Sequence, residues 1–124
     1  MKKQIILTIT TVFFVSVFAV LRFGSSGAAP ATTASFKNKV FPILESRCGN
    51  CHMGEFVSAG LDITTYESLM AGSQDGPVII PGSAVDSLLI DKVIDGDMPK
   101  RGPKLTPVQI QTIKDWIDAG APNN

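Results

Sequence analysis

Cys48-Gly49-Asn50-Cys51-His52 is the stretch on which the reading of this 124-residue chain turns. Residues three and four apart lie on one face of a helix, and Cys48, Cys51 and His52 stand in that relation. Two thiols and an imidazole are thereby aimed at one body. The C-x-x-C-H spacing is the attachment signal of a c-type haem. The thiols can add across its vinyl groups, and the adjacent imidazole can reach the iron. Two covalent bonds hold permanently what a nitrogen ligand alone would hold reversibly. The only histidine of the chain stands directly after the second cysteine, which strengthens the signal.

Three other uses of the same residues are weaker. A thiol–disulfide redox pair usually accompanies a βαβ pattern, and none is visible here. Structural zinc takes four ligands, so two Cys and one His would need carboxylates to complete the set. A bare disulfide stays open for a chain outside the cytosol.

The N-terminus points outside the cytosol. Lys2 and Lys3 precede an apolar run over residues 5–21, broken only by Thr and Ser. Signal h-regions run to about 7–15 residues and spanning helices to about 17–25, so the run sits near the boundary. Ser26-Gly27-Ala28 offers the small residues a signal peptidase wants, whereas Arg22 and its distance from Ala28 favour an uncleaved anchor. Either outcome places the rest on the periplasmic or outer face of the inner membrane, because the lysines stay inside. Residues 1–28 are thus read as signal peptide or N-terminal membrane anchor. Residues 29–35, rich in Ala, Ser and Thr, form a flexible linker, and 36–121 a single haem domain.

From Ala29 onward there are eight Lys/Arg against eleven Asp/Glu, a net charge of −3. That excludes nucleic acid, which wants a basic face. It leaves room for a protein partner with a local charge match. Four of the seven Phe lie in or beside the leader, leaving Phe36, Phe41, Phe56, Tyr66 and Trp116 as the domain's aromatics. A core this small is marginal, and a buried haem would supply the missing apolar centre. With no second C-x-x-C-H, one haem is expected.

The rest of the domain reads as four or five short helices with no sheet. Over residues 36–47, Phe36, Val40, Ile43 and Leu44 recur at helical spacing behind a Ser35 N-cap. Pro42 should kink or restart that helix, since it has no N–H to give. Residues 53–62 read as loop. Thr64 or Thr65 should cap a short helix ending at Gly72. Val78-Ile79-Ile80 is an apolar run, either extended against the haem or ordinary core. Ser83 should cap a helix with Val85, Leu88, Leu89 and Val93 inward, closing near Gly96. The last helix has Thr106 as N-cap, Pro107 first, Gln109 completing a capping box and Gly120 as its stop. Its inward face is Ile110, Ile113, Trp116 and Ile117.

Haem iron has a second axial position, and a Met there suits electron transfer. Met1 lies in the leader, Met53 adjoins His52, and Met70 sits on an apolar helical stripe where it fills space. Met98 stands in the polar loop Gly96-Asp97-Met98-Pro99-Lys100-Arg101-Gly102, where packing gives no reason for an apolar residue. Pro99 stiffens its backbone. Met98 is therefore the expected distal ligand opposite His52. Lys100, Arg101 and Lys104, just beyond, read as a solvated loop. They could also neutralise haem propionates or guide a redox partner. Trp116 reads as core, with an N–H able to reach a propionate.

With these motifs in place the chain resembles the class I c-type cytochromes, and most closely the planctomycete-type cytochrome c domain. The resemblance rests on Phe41-Pro42-Ile43-Leu44, Cys48 to His52, Gly60-Leu61-Asp62, Pro81-Gly82-Ser83, Ser87-Leu88-Leu89-Ile90, Met98-Pro99, Leu105-Thr106, Trp116-Ile117 and Ala119-Gly120-Ala121. It implies a small all-α cytochrome c-like fold around one haem c bound through Cys48 and Cys51, with His52 proximal and Met98 distal. Two positions depart from the pattern: Met53 stands where a Gly is frequent, and Lys100 where a second Pro is common.

The expected function is single-haem electron transfer, the iron cycling between Fe(II) and Fe(III). The chain would be an electron carrier rather than an enzyme, or a subunit or donor of a redox enzyme complex. Its partners would be redox proteins, such as a membrane respiratory or photosynthetic complex, with a membrane tether through residues 5–21 if these are retained. The alternative is a haem-based sensor or minor peroxidase with a labile distal ligand. A non-haem thiol or zinc module is the third reading.

Overall fold

Pro42 organises the entry into the domain. Ser35 caps the first turn, its hydroxyl accepting from the Asn38 N–H at 3.3 Å. Residues Phe36–Val40 then form a wide π-helical turn, closed by the Phe41 N–H on the Phe36 carbonyl. Helix α1 follows at once, Phe41–His52, with Pro42 in its first turn. A first-turn N–H has no partner inside the helix, so its absence costs nothing there. Of the two outcomes expected at Pro42, the restart is the one observed.

The computed structural model describes residues 34–124. The apolar run 5–21, and with it the choice between signal and anchor, lies outside the described residues. Among those described, no helix is long and apolar enough to cross a membrane. Helices α2 (Tyr66–Ala71), α3 (Leu88–Ile94) and α4 (Pro107–Asp118) complete the α-helical set, with a 3₁₀ turn at Ser58–Gly60 in the expected loop. The described residues form no strand, only an isolated bridge between Ser73 and Gly76. The fold is all-α, as the sequence predicts.

Local rules place two of the helix starts and one helix end. Thr65, not Thr64, caps α2 in a box with Ser68. Thr106 and Gln109 form the expected box on α4, with Pro107 in the first turn. Gly72 ends α2 at φ 89°, and a Cβ there would stand 2.5 Å from the Gly76 carbonyl oxygen. Only glycine suits both that backbone region and that approach.

The start of α3 is a correction. Ser83 does not cap it; its hydroxyl bonds Asp86. The helix begins after Ser87. The Ser87 hydroxyl donates to the Ser83 carbonyl at 2.8 Å and accepts from the Ile80 N–H at 2.9 Å. Residues 83–87 are therefore spent on a turn, and a helix starting four residues later faces differently. Val85, expected inward, is 78% exposed, and Leu88 is also exposed. Ile90 and Val93 are buried, and Leu89 is half-buried.

The core is built on Phe36 and Trp116. The Phe36 ring stacks on Trp116 at 5.3 Å and meets Tyr66 edge-on at 5.2 Å. Trp116 is fully buried. Its indole N–H donates to the Pro122 carbonyl at 2.9 Å, so it has no donor left for a propionate. The Tyr66 hydroxyl donates to the Ala121 carbonyl at 2.8 Å. Phe56 does not join this core; it is 93% exposed. The C-terminal tail returns to the first turn, with the Phe36 N–H on the Asn124 side chain at 2.8 Å and the Lys37 N–H on its carbonyl at 2.9 Å.

Trp116→Ala removes the largest buried side chain and should cost about 3–5 kcal/mol of stability. Thr106→Ala removes one cap and should cost about 1 kcal/mol. Urea unfolding of the two variants checks the order; equal losses would contradict this account of the core.

Candidate haem cleft

Helix α1 delivers all three residues of the motif. Cys48 is half-buried, Cys51 exposed and His52 buried. Gly49 between them leaves space for Met53, whose Sδ would stand 3.0 Å from a Cβ at that position. The helix stops at His52, and the chain then curls back over it. The His52 carbonyl accepts from the Ile63 N–H at 2.9 Å. The His52 Nδ1 lies 3.2 Å from the Leu61 carbonyl oxygen. A carbonyl only accepts, so this contact puts the ring proton on Nδ1 and leaves the Nε2 lone pair free for a metal.

Two cavities open beside the motif. One, of about 230 Å³, has mainly apolar walls from Leu44, Leu61, Ile63, Val78, Leu89 and Val93, with Ser73, Asp75 and Lys92 among its polar lining residues. The other, of about 340 Å³, is lined by Arg47, Asn50, Cys51, Ser58, Pro99, Lys100 and Arg101. Cys48, His52 and Met98 line both. The cavities therefore adjoin at the two residues read as axial ligands and at one of the two thiols. Mainly apolar walls with a few polar groups suit a flat hydrophobic ring with polar substituents. Of the apolar run, Val78 lines the first cavity, Ile79 is buried without lining it, and Ile80 is exposed.

Met98 reaches this cleft from a loop held at several points. Its N–H donates to the Lys92 carbonyl at 2.9 Å. The next residue, Pro99, is buried and follows a cis peptide bond. The Lys104 ammonium donates to the Pro99 carbonyl. Lys92 pairs with Asp97 at 2.8 Å. That bond raises the Lys92 pKa and lowers that of Asp97, so both stay charged. Met53 and Met70 pack against the core and line neither cavity.

The basic cluster divides. Lys104 is engaged by the Met98 loop, whereas Lys100 and Arg101 are exposed and line the second cavity. Arg47 joins them there, its Nε closed off from solvent without a hydrogen-bond partner. Among the described residues no Asp or Glu lines that cavity. Sequence reading passed over Arg47, although its place directly before Cys48 was the available signal.

The other uses of the two thiols fare poorly. Cys48 and Cys51 are free thiols. Burial first, and then Cys51, push the Cys48 thiol from its ordinary 9.0 up to about 11. A redox-active thiol needs the opposite shift. Among the described residues no group of three or more His, Cys, Asp or Glu side chains could hold a metal ion, so a zinc site lacks its donors. In the folded chain without haem, alkylation at pH 8 should label Cys51 at least about tenfold faster than Cys48. Peptide mapping after a timed pulse measures this, and equal labelling would count against a buried Cys48 thiol.

The family model described as Planctomycete cytochrome C matches residues 48–102. The match runs from the first cysteine to the end of the Met98 loop, a narrower stretch than the 36–121 of the resemblance. No curated protein matches the chain, and no solved structure does. The segment holding Cys48, Cys51, His52 and Met98 is thus a match to the planctomycete cytochrome C family, the one its motifs resemble.

Proposed function

We propose that the chain is a single-haem electron carrier, with haem c attached through Cys48 and Cys51 and with His52 and Met98 as axial ligands. The convergence of Cys48, His52 and Met98 on both cavities carries this reading. The family match supports it at the level of a haem c protein. When bound, the haem supplies a one-electron Fe(II)/Fe(III) couple. The chain's own residues do the rest. The Leu61 carbonyl fixes the His52 tautomer. The Lys92 carbonyl and Lys104 ammonium hold the Met98 loop. Leu44, Ile63, Val78 and Val93 keep water from the ring. Thioether sulfur at exposed Cys51 leaves one edge near the surface, where an electron can pass to a partner.

The same reading assigns residues 36–121 to the haem domain, 29–35 to a linker and 1–28 to a signal or anchor that places the domain outside the cytoplasm. It also assigns a partner face. Arg47, Lys100 and Arg101 gather at the mouth holding Cys51, on a domain whose net charge is negative. A local cationic patch of this kind steers an acidic redox protein to the haem edge.

Intact mass and a haem stain after denaturation should report one covalent haem, lost when Cys48 and Cys51 are both replaced by Ala. A colourless purified protein would overturn the proposal. Met98→Ala should keep the haem but lose the sulfur-to-iron absorption band of the oxidised protein, and should bind carbon monoxide rapidly when reduced. Survival of that band would remove Met98 as ligand. Replacing both Lys100 and Arg101 by Glu should slow association with an acidic redox partner about tenfold or more at low salt and flatten its salt dependence. An unchanged rate and slope would reject the partner face.

A further inference from the structure

Lys92 has three attachments that no motif assigns. Its ammonium pairs with Asp97 at 2.8 Å. Its carbonyl accepts the Met98 N–H at 2.9 Å. It is also the one cation among the described residues that line the mainly apolar cavity. The other cations at the cleft, Arg47, Lys100 and Arg101, line the cavity that holds Cys51. A haem carries its two carboxylates on the edge opposite its vinyl groups. With the vinyl edge joined to Cys48 and Cys51, the carboxylates would point away from the cations at that end. In the other cavity the charged lining residues are Lys92 and Asp75, and a carboxylate left there without a cation would be costly.

We propose that Lys92 is the charge anchor of the cleft, its ammonium pairing with a haem propionate while its backbone carbonyl positions Met98; this rests on the haem reading above. An ammonium has three N–H donors, and Asp97 takes one, so a propionate can take another. Ser73, in the wall of the same cavity, offers a hydroxyl but no charge. The pairing has a redox consequence. An anionic propionate favours the more positive ferric iron, and a cation beside it offsets that preference. Lys92 is then a positioning residue that also holds the couple toward Fe(II).

The test uses the haem-loaded chain at low ionic strength with three variants. Lys92→Met keeps the length of the side chain and removes its charge. It should retain covalent haem and shift the Fe(III)/Fe(II) balance about tenfold toward Fe(III), as expected for one unit charge at cleft distances. Lys92→Arg should restore the wild-type potential to within about twofold in that balance, because the cation returns. Asp97→Asn breaks the same ion pair but removes an anion, so its shift should be absent or of opposite sign. A Lys92→Met potential equal to wild type, with haem attached, overturns the proposal and leaves the haem reading intact. Equal downward shifts in Lys92→Met and Asp97→Asn also overturn it, because the pair would then act only as a strap. A wild-type chain without covalent haem fails the haem reading itself.

Discussion

His52 is held by the chain that follows it through both its side chain and its main chain. Its Nδ1 meets the Leu61 carbonyl, and its own carbonyl receives the Ile63 N–H. Between these two contacts the loop 53–60 must arch out and return. The C-terminal end of α1 therefore has one place to stop, and the ring one tautomer to adopt. A second backbone bond, from the Gln74 N–H to the Ala59 carbonyl, ties the same loop to the turn beyond α2. Cleft walls from Leu61, Ile63 and Ser73 are all consequences of that return path.

The other side of the cleft depends on a different anchor. Gly82 and Ala84 bind the end of α4, through the Ile117 carbonyl and the Asp118 side chain, each at 2.7 Å. Those bonds fix the turn that precedes α3. Helix α3 in turn presents Leu89 and Val93 to the cavity and Lys92 to the Met98 loop. The aromatic core of Phe36, Tyr66 and Trp116 lies under α4, with residues from both ends of the domain. Met98 thus reaches the cleft through a chain of contacts that starts in the C-terminal helix. This explains why residues far from the motif bear on its geometry.

Fold class and motif were legible because they are local properties. The caps at Thr65, one of two candidates, and Thr106 are decided within four residues, and both are found. The Cys48, Cys51 and His52 relation follows from helical spacing alone. The misplaced start of α3 has the opposite character. Ser83 is a plausible cap by local rules, but its hydroxyl is taken by Asp86 and the Ser87 hydroxyl by the Ile80 N–H and the Ser83 carbonyl, so the helix starts only after Ser87. Phe56 likewise carries no mark in the sequence that would send it to the surface.

By itself the sequence determined an all-helical chain with a C-x-x-C-H motif and a stray methionine in a polar loop. Helix periodicity, caps and donor spacing are short-range physics, so a single strand of residues contains them. Only the tertiary structure decided which cations serve which task. Lys104 is spent on the Pro99 carbonyl, Lys92 stands in the apolar cavity, and Arg47 joins Lys100 and Arg101 at the mouth. The physical reason is that a long charged side chain is flexible. Its partner is chosen by whatever the packed backbone brings within reach of its tip.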